Sequence, residues 1–125
     1  ADFLAQEPAL IVSGRRVSEG AIWHDEVLNA VGEEVYVTID VDFFDPALVP
    51  GTGTPEPGGA DWYTTLDFLR ALADKRRIVG FDIMELSPLP SHPASDFLAA
   101  KLLYRLLGYT LRRDGRDPGP GPILR

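Results

Sequence analysis

Asp40 and Asp42 stand two residues apart at the end of an apolar, β-branched run, Val35-Tyr36-Val37-Thr38-Ile39. In a strand that spacing is one full side-chain period, so both carboxylates leave the same face with Cα atoms roughly 6.5–7 Å apart. A carboxylate at the end of a buried strand has to be paired or neutralised, because desolvating a lone charge is very costly. Two of them converging on one face suit a divalent cation, or two cations about 3.5–4 Å apart that share one carboxylate. The same residues also fit a structural arrangement in which loop N–H groups or arginines satisfy two strand-end carboxylates, and spacing alone does not choose between the two. A third carboxylate, Glu85, closes the next apolar run, Ile78 to Met84.

The elements that must hold these groups follow from periodicity. Val35–Val41 reads as a strand buried on both faces, and Ile78–Met84 as a second one. Between them Asp61 can cap a helix whose apolar positions Trp62, Leu66, Leu69 and Ala73 recur at helical spacing, with Lys75, Arg76 and Arg77 at its carboxyl end. Strand, helix, strand with these connections implies a βαβ unit in a parallel sheet. Ligands of such sheets bind beyond the carboxyl ends of the strands, where Asp40, Asp42 and Glu85 all lie. Upstream, Ala9–Ser13 is a short apolar run expected to be a buried strand, and a helix is expected to start at Ser18 and to be closed by Gly32. Downstream, Pro93 suits the first position of a last helix with Phe97, Leu98, Leu102, Leu103, Leu106 and Leu107 on a broad apolar face, ending at Gly108. The domain is expected to span 1–111, followed by a flexible tail over 112–125 that is rich in Gly, Pro and Arg.

The segment between the first of these strands and the helix, 43–60, holds four prolines and four glycines. An irregular loop of that length inside a compact domain is usually functional, and its prolines favour a fixed shape. Gly51-Thr52-Gly53 after a strand invites a phosphate-loop reading, but no Gly-Lys-Ser/Thr follows and prolines remove N–H groups such a cradle needs. His24 and His92 have no ligand-spaced partner and are assigned surface or capping roles. Asp82, inside the second strand, is expected to be a hydrogen-bonded structural carboxyl. Asp45, before Pro46, is expected to stabilise a turn or to support a ligand from behind rather than to bind a metal itself.

With 125 residues the chain makes at most one domain, of ordinary composition. A net charge of −7 with no basic stripe argues against nucleic acid as a partner. There is no cysteine, so neither a disulfide framework nor a thiolate metal site can form. No apolar run reaches the length of a membrane span, and a cytoplasmic location is expected. The first residue, Ala1, suggests a processed or partial polypeptide.

Thr38-Ile39-Asp40-Val41-Asp42, continuing through Asp45-Pro46 and Pro50-Gly51-Thr52-Gly53-Thr54-Pro55-Glu56-Pro57-Gly58-Gly59, resembles a signature of the ureohydrolase family of arginases, agmatinases, guanidinobutyrases and formiminoglutamases. Gly80 to Pro88 and Ala99 to Leu102 resemble that family's next strand and closing helix, and Glu85-Leu86-Ser87-Pro88 is most similar to agmatinases. The resemblance implies an α/β fold, a three-layer αβα parallel sheet, of which this chain is the carboxyl-terminal portion only. It implies Asp40 as the carboxylate bridging two Mn²⁺ ions, Asp42 as a ligand of the second ion, and Glu85 as the group receiving the substrate guanidinium. The implied reaction is attack on the guanidinium carbon by a metal-activated water, releasing urea, with agmatine as the expected substrate. The family's two earlier signatures, a Gly-Gly-Asp-His type and an Asp-x-His-x-Asp type segment, do not occur in this sequence. The chain alone is therefore expected to be inactive, and to form a homo-oligomer or associate with an amino-terminal half.

Overall fold

The computed structural model describes residues 9–113, in which two strands and four helices are assigned. Strand β1, Glu34–Asp40, and strand β2, Arg77–Met84, pair in parallel, with Thr38 opposite Asp82 and Asp40 opposite Met84. A register shift between Val35 and Tyr36 leaves Val79 unpaired. Helix α3, Trp62–Lys75, connects the two strands, and helix α4, Ala94–Arg113, follows β2. Two shorter helices, α1 (Gly14–Ser18) and α2 (Ile22–Ala30), precede β1.

Both long helices lie on one face of the sheet. Val37, Ile39, Ile78, Phe81 and Ile83 pack there against Leu66, Leu69, Leu102 and Leu106, and Leu102 and Leu106 are fully buried. Helix α3 starts where the sequence places it. The Asp61 side chain accepts from the N–H groups of Tyr63 (2.8 Å) and Thr64 (2.9 Å) and from the Thr64 hydroxyl (2.6 Å). Hydrogen bonding, the Thr64 hydroxyl foremost, holds the Asp61 carboxyl below its ordinary pKa, as expected of a cap at a helix amino terminus.

The opposite face of the sheet is open, which corrects the expectation of burial on both sides. Tyr36 is 62% exposed and Met84 51%, because no described element packs over them. Tyr36 and Thr38 turn their hydroxyls to Asp82, at 2.8 and 2.6 Å, so Asp82 is the hydrogen-bonded carboxyl expected of it. That bond, above all, raises the Tyr36 pKa. The Tyr36 ring lies against Gly80, where a β-carbon would sit 2.8 Å from a ring carbon.

Four further expectations are corrected. Ala9–Ser13 is not a strand: it has no ladder partner among the described residues, and Leu10 and Ile11 are exposed. An apolar run becomes a strand only where another strand offers its edge. Ser18 ends α1 rather than starting a helix, its hydroxyl donating to the Arg15 carbonyl, and α2 begins only after Ala21. The last helix does not stop at Gly108 but runs to Arg113, overlapping the stretch expected to open the tail; a single glycine costs a helix only about 1 kcal/mol, and Tyr109 just beyond it packs on the core. Residues 114–125 of the expected tail lie outside the described residues. His24 is buried rather than superficial, edge-on to Trp23 at 4.4 Å between ring centres and 5.3 Å from Phe68. No helix of the described residues is long and apolar enough to cross a membrane.

Candidate functional site at the strand ends

Strand β1 stops at Asp40, and Val41–Phe43 form one turn of 3-10 helix closed by the Phe44 N–H on the Val41 carbonyl. The cause is packing. Val41 and Phe44, three apart, are both buried in the core, and three is the period of a 3-10 turn, not of a strand. Asp42 is thus aimed by a turn, and the two-residue strand period does not set its direction. Asp40 is exposed at the strand end, whereas Asp42 is half-buried.

The Pro/Gly loop after this turn has a fixed shape, as its prolines suggest. Asp45 organises it, its carboxylate accepting from the N–H groups of Ala47 (2.9 Å) and Gly58 (3.1 Å). The loop returns beside its start, with Asp45 N–H on the Ala60 carbonyl and Ala60 N–H on the Phe43 carbonyl. At Gly59 any side chain would strike the backbone of Phe44 and Asp45. Further along, the Gly51 N–H donates to Ser95 Oγ at 2.9 Å, the Gly51 carbonyl accepts from the Ser87 N–H, and Thr52 bridges to Leu86. The loop is therefore pinned across the end of β2 and to the first turn of α4. This brings the Thr54 hydroxyl to Asp42, to which it donates at 2.6 Å.

Glu85 is the residue immediately after β2, and the Asp40–Met84 pairing puts it at the same sheet edge as Asp40. Its backbone lies in the left-handed region, φ 62°. That conformation costs a non-glycine residue of order 1–3 kcal/mol and persists only where the surroundings impose it. Here the Thr52–Leu86 bridge and the Ser87–Gly51 bond hold the chain on its far side. Strain at the carboxylate expected to face the substrate is the kind of outlier that gathers at functional sites.

The structure thus places Asp40, Asp42 and Glu85 at or just beyond the carboxyl ends of the two strands, keeps Asp45 and Asp82 in structural bonds, and buries His24 elsewhere. Thr54 and Ser95 carry roles that inspection of the sequence misses. Thr54 lies within the quoted signature but nothing local pairs it with Asp42, and Ser95 reads only as a first-turn serine. Asp40 and Asp42 are hard oxygen donors of the right kind for Mn²⁺. They do not amount to a binuclear site, since no cluster of three or more His, Cys, Asp or Glu side chains among the described residues could hold a metal.

Beside β1 the structure leaves a second feature. The strand's edge away from β2 is unpaired among the described residues, and a cavity of about 260 Å³ opens along it, lined by Val12, Trp23, Val37, Ile39, Phe43 and Phe68 with Asp40 at its margin. The Trp23 indole N–H is buried without a hydrogen-bond partner there.

Comparison with known proteins places this geometry. The family profile for the arginase family matches residues 4–108. An N(1)-aminopropylagmatine ureohydrolase of Synechocystis is 39% identical over 110 residues, covering 87% of this chain and 36% of the relative. An agmatinase of Pyrococcus horikoshii is 42% identical over 87 residues, covering 70% of this chain and 31% of the relative. Among solved structures, a proclavaminate amidino hydrolase from Streptomyces clavuligerus superposes with TM-score 0.79 at 38% identity, covering 90% of this chain and 38% of that one. The chain spans about a third of the length of the curated relatives it matches. A parallel sheet whose strands end at Asp40 and just before Glu85, a Pro/Gly loop folded back on Asp42, and a profile match over most of its length make this chain a member of the arginase family.

Proposed function

We propose that this chain supplies the carboxyl-terminal share of a ureohydrolase centre that hydrolyses a linear guanidino compound, agmatine in the first instance, to an amine and urea. The observation that carries the reading is the placement of Asp40, Asp42 and a conformationally strained Glu85 at or just beyond the carboxyl ends of the paired strands, beside a pinned loop. Glu85 suits a planar guanidinium, which a carboxylate binds through two parallel hydrogen bonds. Asp40 and Asp42 are the two carboxylates this chain offers to a Mn²⁺ pair, whose chemistry when bound is activation of water. Thr54 donates to one oxygen of Asp42 and so fixes that carboxylate against the loop. The agmatinase and aminopropylagmatine ureohydrolase relatives favour a substrate with a cationic amine tail.

In the same reading the chain works together with a polypeptide carrying the histidine-bearing segments absent from its sequence. The open edge of β1 and the apolar cavity beside it are where such a segment would add, covering an edge that is otherwise a template for aggregation. The experiment is a urea-release assay with agmatine and Mn²⁺. The pure chain should release none. Mixed with a polypeptide supplying the two histidine segments it should turn over, and Asp40→Asn or Asp42→Asn should each abolish that activity by about 10²-fold or more. Turnover by the pure chain refutes the half-site reading, and indifference of the mixture to Asp40→Asn refutes the assignment of ligands.

A further inference from the structure

Helix α4 carries two apolar seams, and the core uses only one. Ser95, Ala99, Leu102, Leu106 and Tyr109 face inward; Leu102 and Leu106 are completely buried. On the opposite side stand Phe97, Ala100, Tyr104, Leu107 and Leu111, all exposed, with Phe97 65% and Tyr104 76% accessible. Their spacing is three, four, three, four, which is the a and d pattern of a helix that pairs with another helix. A sequence reading that gave α4 one broad apolar face merges these two sides.

Charge decides the occupant and its direction. With Phe97, Tyr104 and Leu111 at a and Ala100 and Leu107 at d, Asp96 falls at g and Lys101 at e. In a parallel, in-register pair, g of one helix faces e of the next heptad on its partner, so Asp96 meets the partner's Lys101, twice by symmetry. An antiparallel pair would instead bring e beside e and g beside g, an arrangement in which Asp96 and Lys101 never meet. Within the chain, Lys101 Nζ already lies 5.4 Å above the Phe97 ring, at the margin of the seam. Among the described residues neither Asp96 nor Lys101 is in an ion pair.

We infer that the outer seam of α4 is a self-association surface through which two copies of this chain pair in parallel about a two-fold axis running along the helix. The seam lies on the side of α4 turned away from the sheet, and it is separate from the open edge of β1.

The chain contains no cysteine, so single-cysteine variants report contacts cleanly. A parallel in-register pair sets Ala100 against its own equivalent. Ala100→Cys should therefore form a disulfide-linked dimer on mild oxidation far faster than Gly53→Cys, an exposed loop control. Sedimentation velocity of the unmodified chain should show a dimer. Tyr104→Glu should lose it with unchanged far-ultraviolet circular dichroism. Asp96→Lys and Lys101→Asp should each weaken the dimer, and the double exchange should restore it. A monomeric wild-type chain, cross-linking of Ala100→Cys no faster than the control, or persistence of the dimer in Tyr104→Glu overturns the inference, the last assigning association to the β1 edge. Should Tyr104→Glu unfold, the cross-linking rate decides alone.

Discussion

Replacing Ser95 by alanine tests whether the Pro/Gly loop is held by the bond that the structure gives it. Ser95 is 1% exposed and Gly51 is buried, and Ser95 Oγ is the acceptor of the Gly51 N–H at 2.9 Å. Removing the hydroxyl leaves a buried N–H without a partner in a pocket too tight for repair. A β-carbon on Gly51 would already lie 2.8 Å from both the Ser87 carbonyl oxygen and Ser95 Oγ. An orphaned buried donor costs about 1–3 kcal/mol. For a domain of this size that is a fall in Tm of roughly 4–12 °C. If the loss is local, the Gly51 amide should also exchange with solvent roughly 5- to 150-fold faster. Thermal denaturation followed by circular dichroism and amide exchange followed by NMR read the two effects. Ser87→Ala serves as control, because Ser87 is exposed and bonds Gly51 through its backbone N–H. A Ser95→Ala protein that melts within about 1 °C of wild type with an unchanged Gly51 amide refutes the claim that this bond pins the loop.

Two further outcomes are expected. Burial holds the His24 imidazole pKa below its ordinary 6.5 despite the opposing pull of Asp67 and Asp25. Below 6.5 the unfolded chain therefore binds more protons than the folded one, and the stability His24 allows at neutral pH is lost as pH falls. Urea midpoints measured from about pH 7 down to pH 5 should decline, and His24→Phe should flatten that decline; an equally steep decline in the variant excludes His24 as its source. Glu85→Gly should raise Tm, by the equivalent of about 1 kcal/mol, because glycine adopts φ 62° without the steric cost. A lower Tm for Glu85→Gly would mean that the side chain contributes more to the fold than its backbone strain removes.

The amino-acid sequence by itself determined the βαβ order, the Asp61 cap, the ends of both strands to within a residue or two, and so the place of Asp40 and Glu85 at those ends. These are local matters: strand runs rich in β-branched residues, a capping side chain two and three residues from its targets, and a signature whose residues are contiguous. It also assigned Asp82 and Asp45 to structural bonds, because a carboxylate inside a strand or before a proline has few other satisfactory partners. Tertiary structure decided the rest. Whether Ala9–Ser13 pairs depends on a neighbouring strand edge, which no local pattern encodes. Asp42 is aimed by a turn that exists because Val41 and Phe44 are both drawn into the core. Thr54 reaches Asp42 only because distant residues, Ser87 and Ser95, hold the loop at its other end. Helix α4 looks from its composition like one wide apolar face; packing against the sheet consumes one side of it and leaves Tyr104 and its neighbours in water.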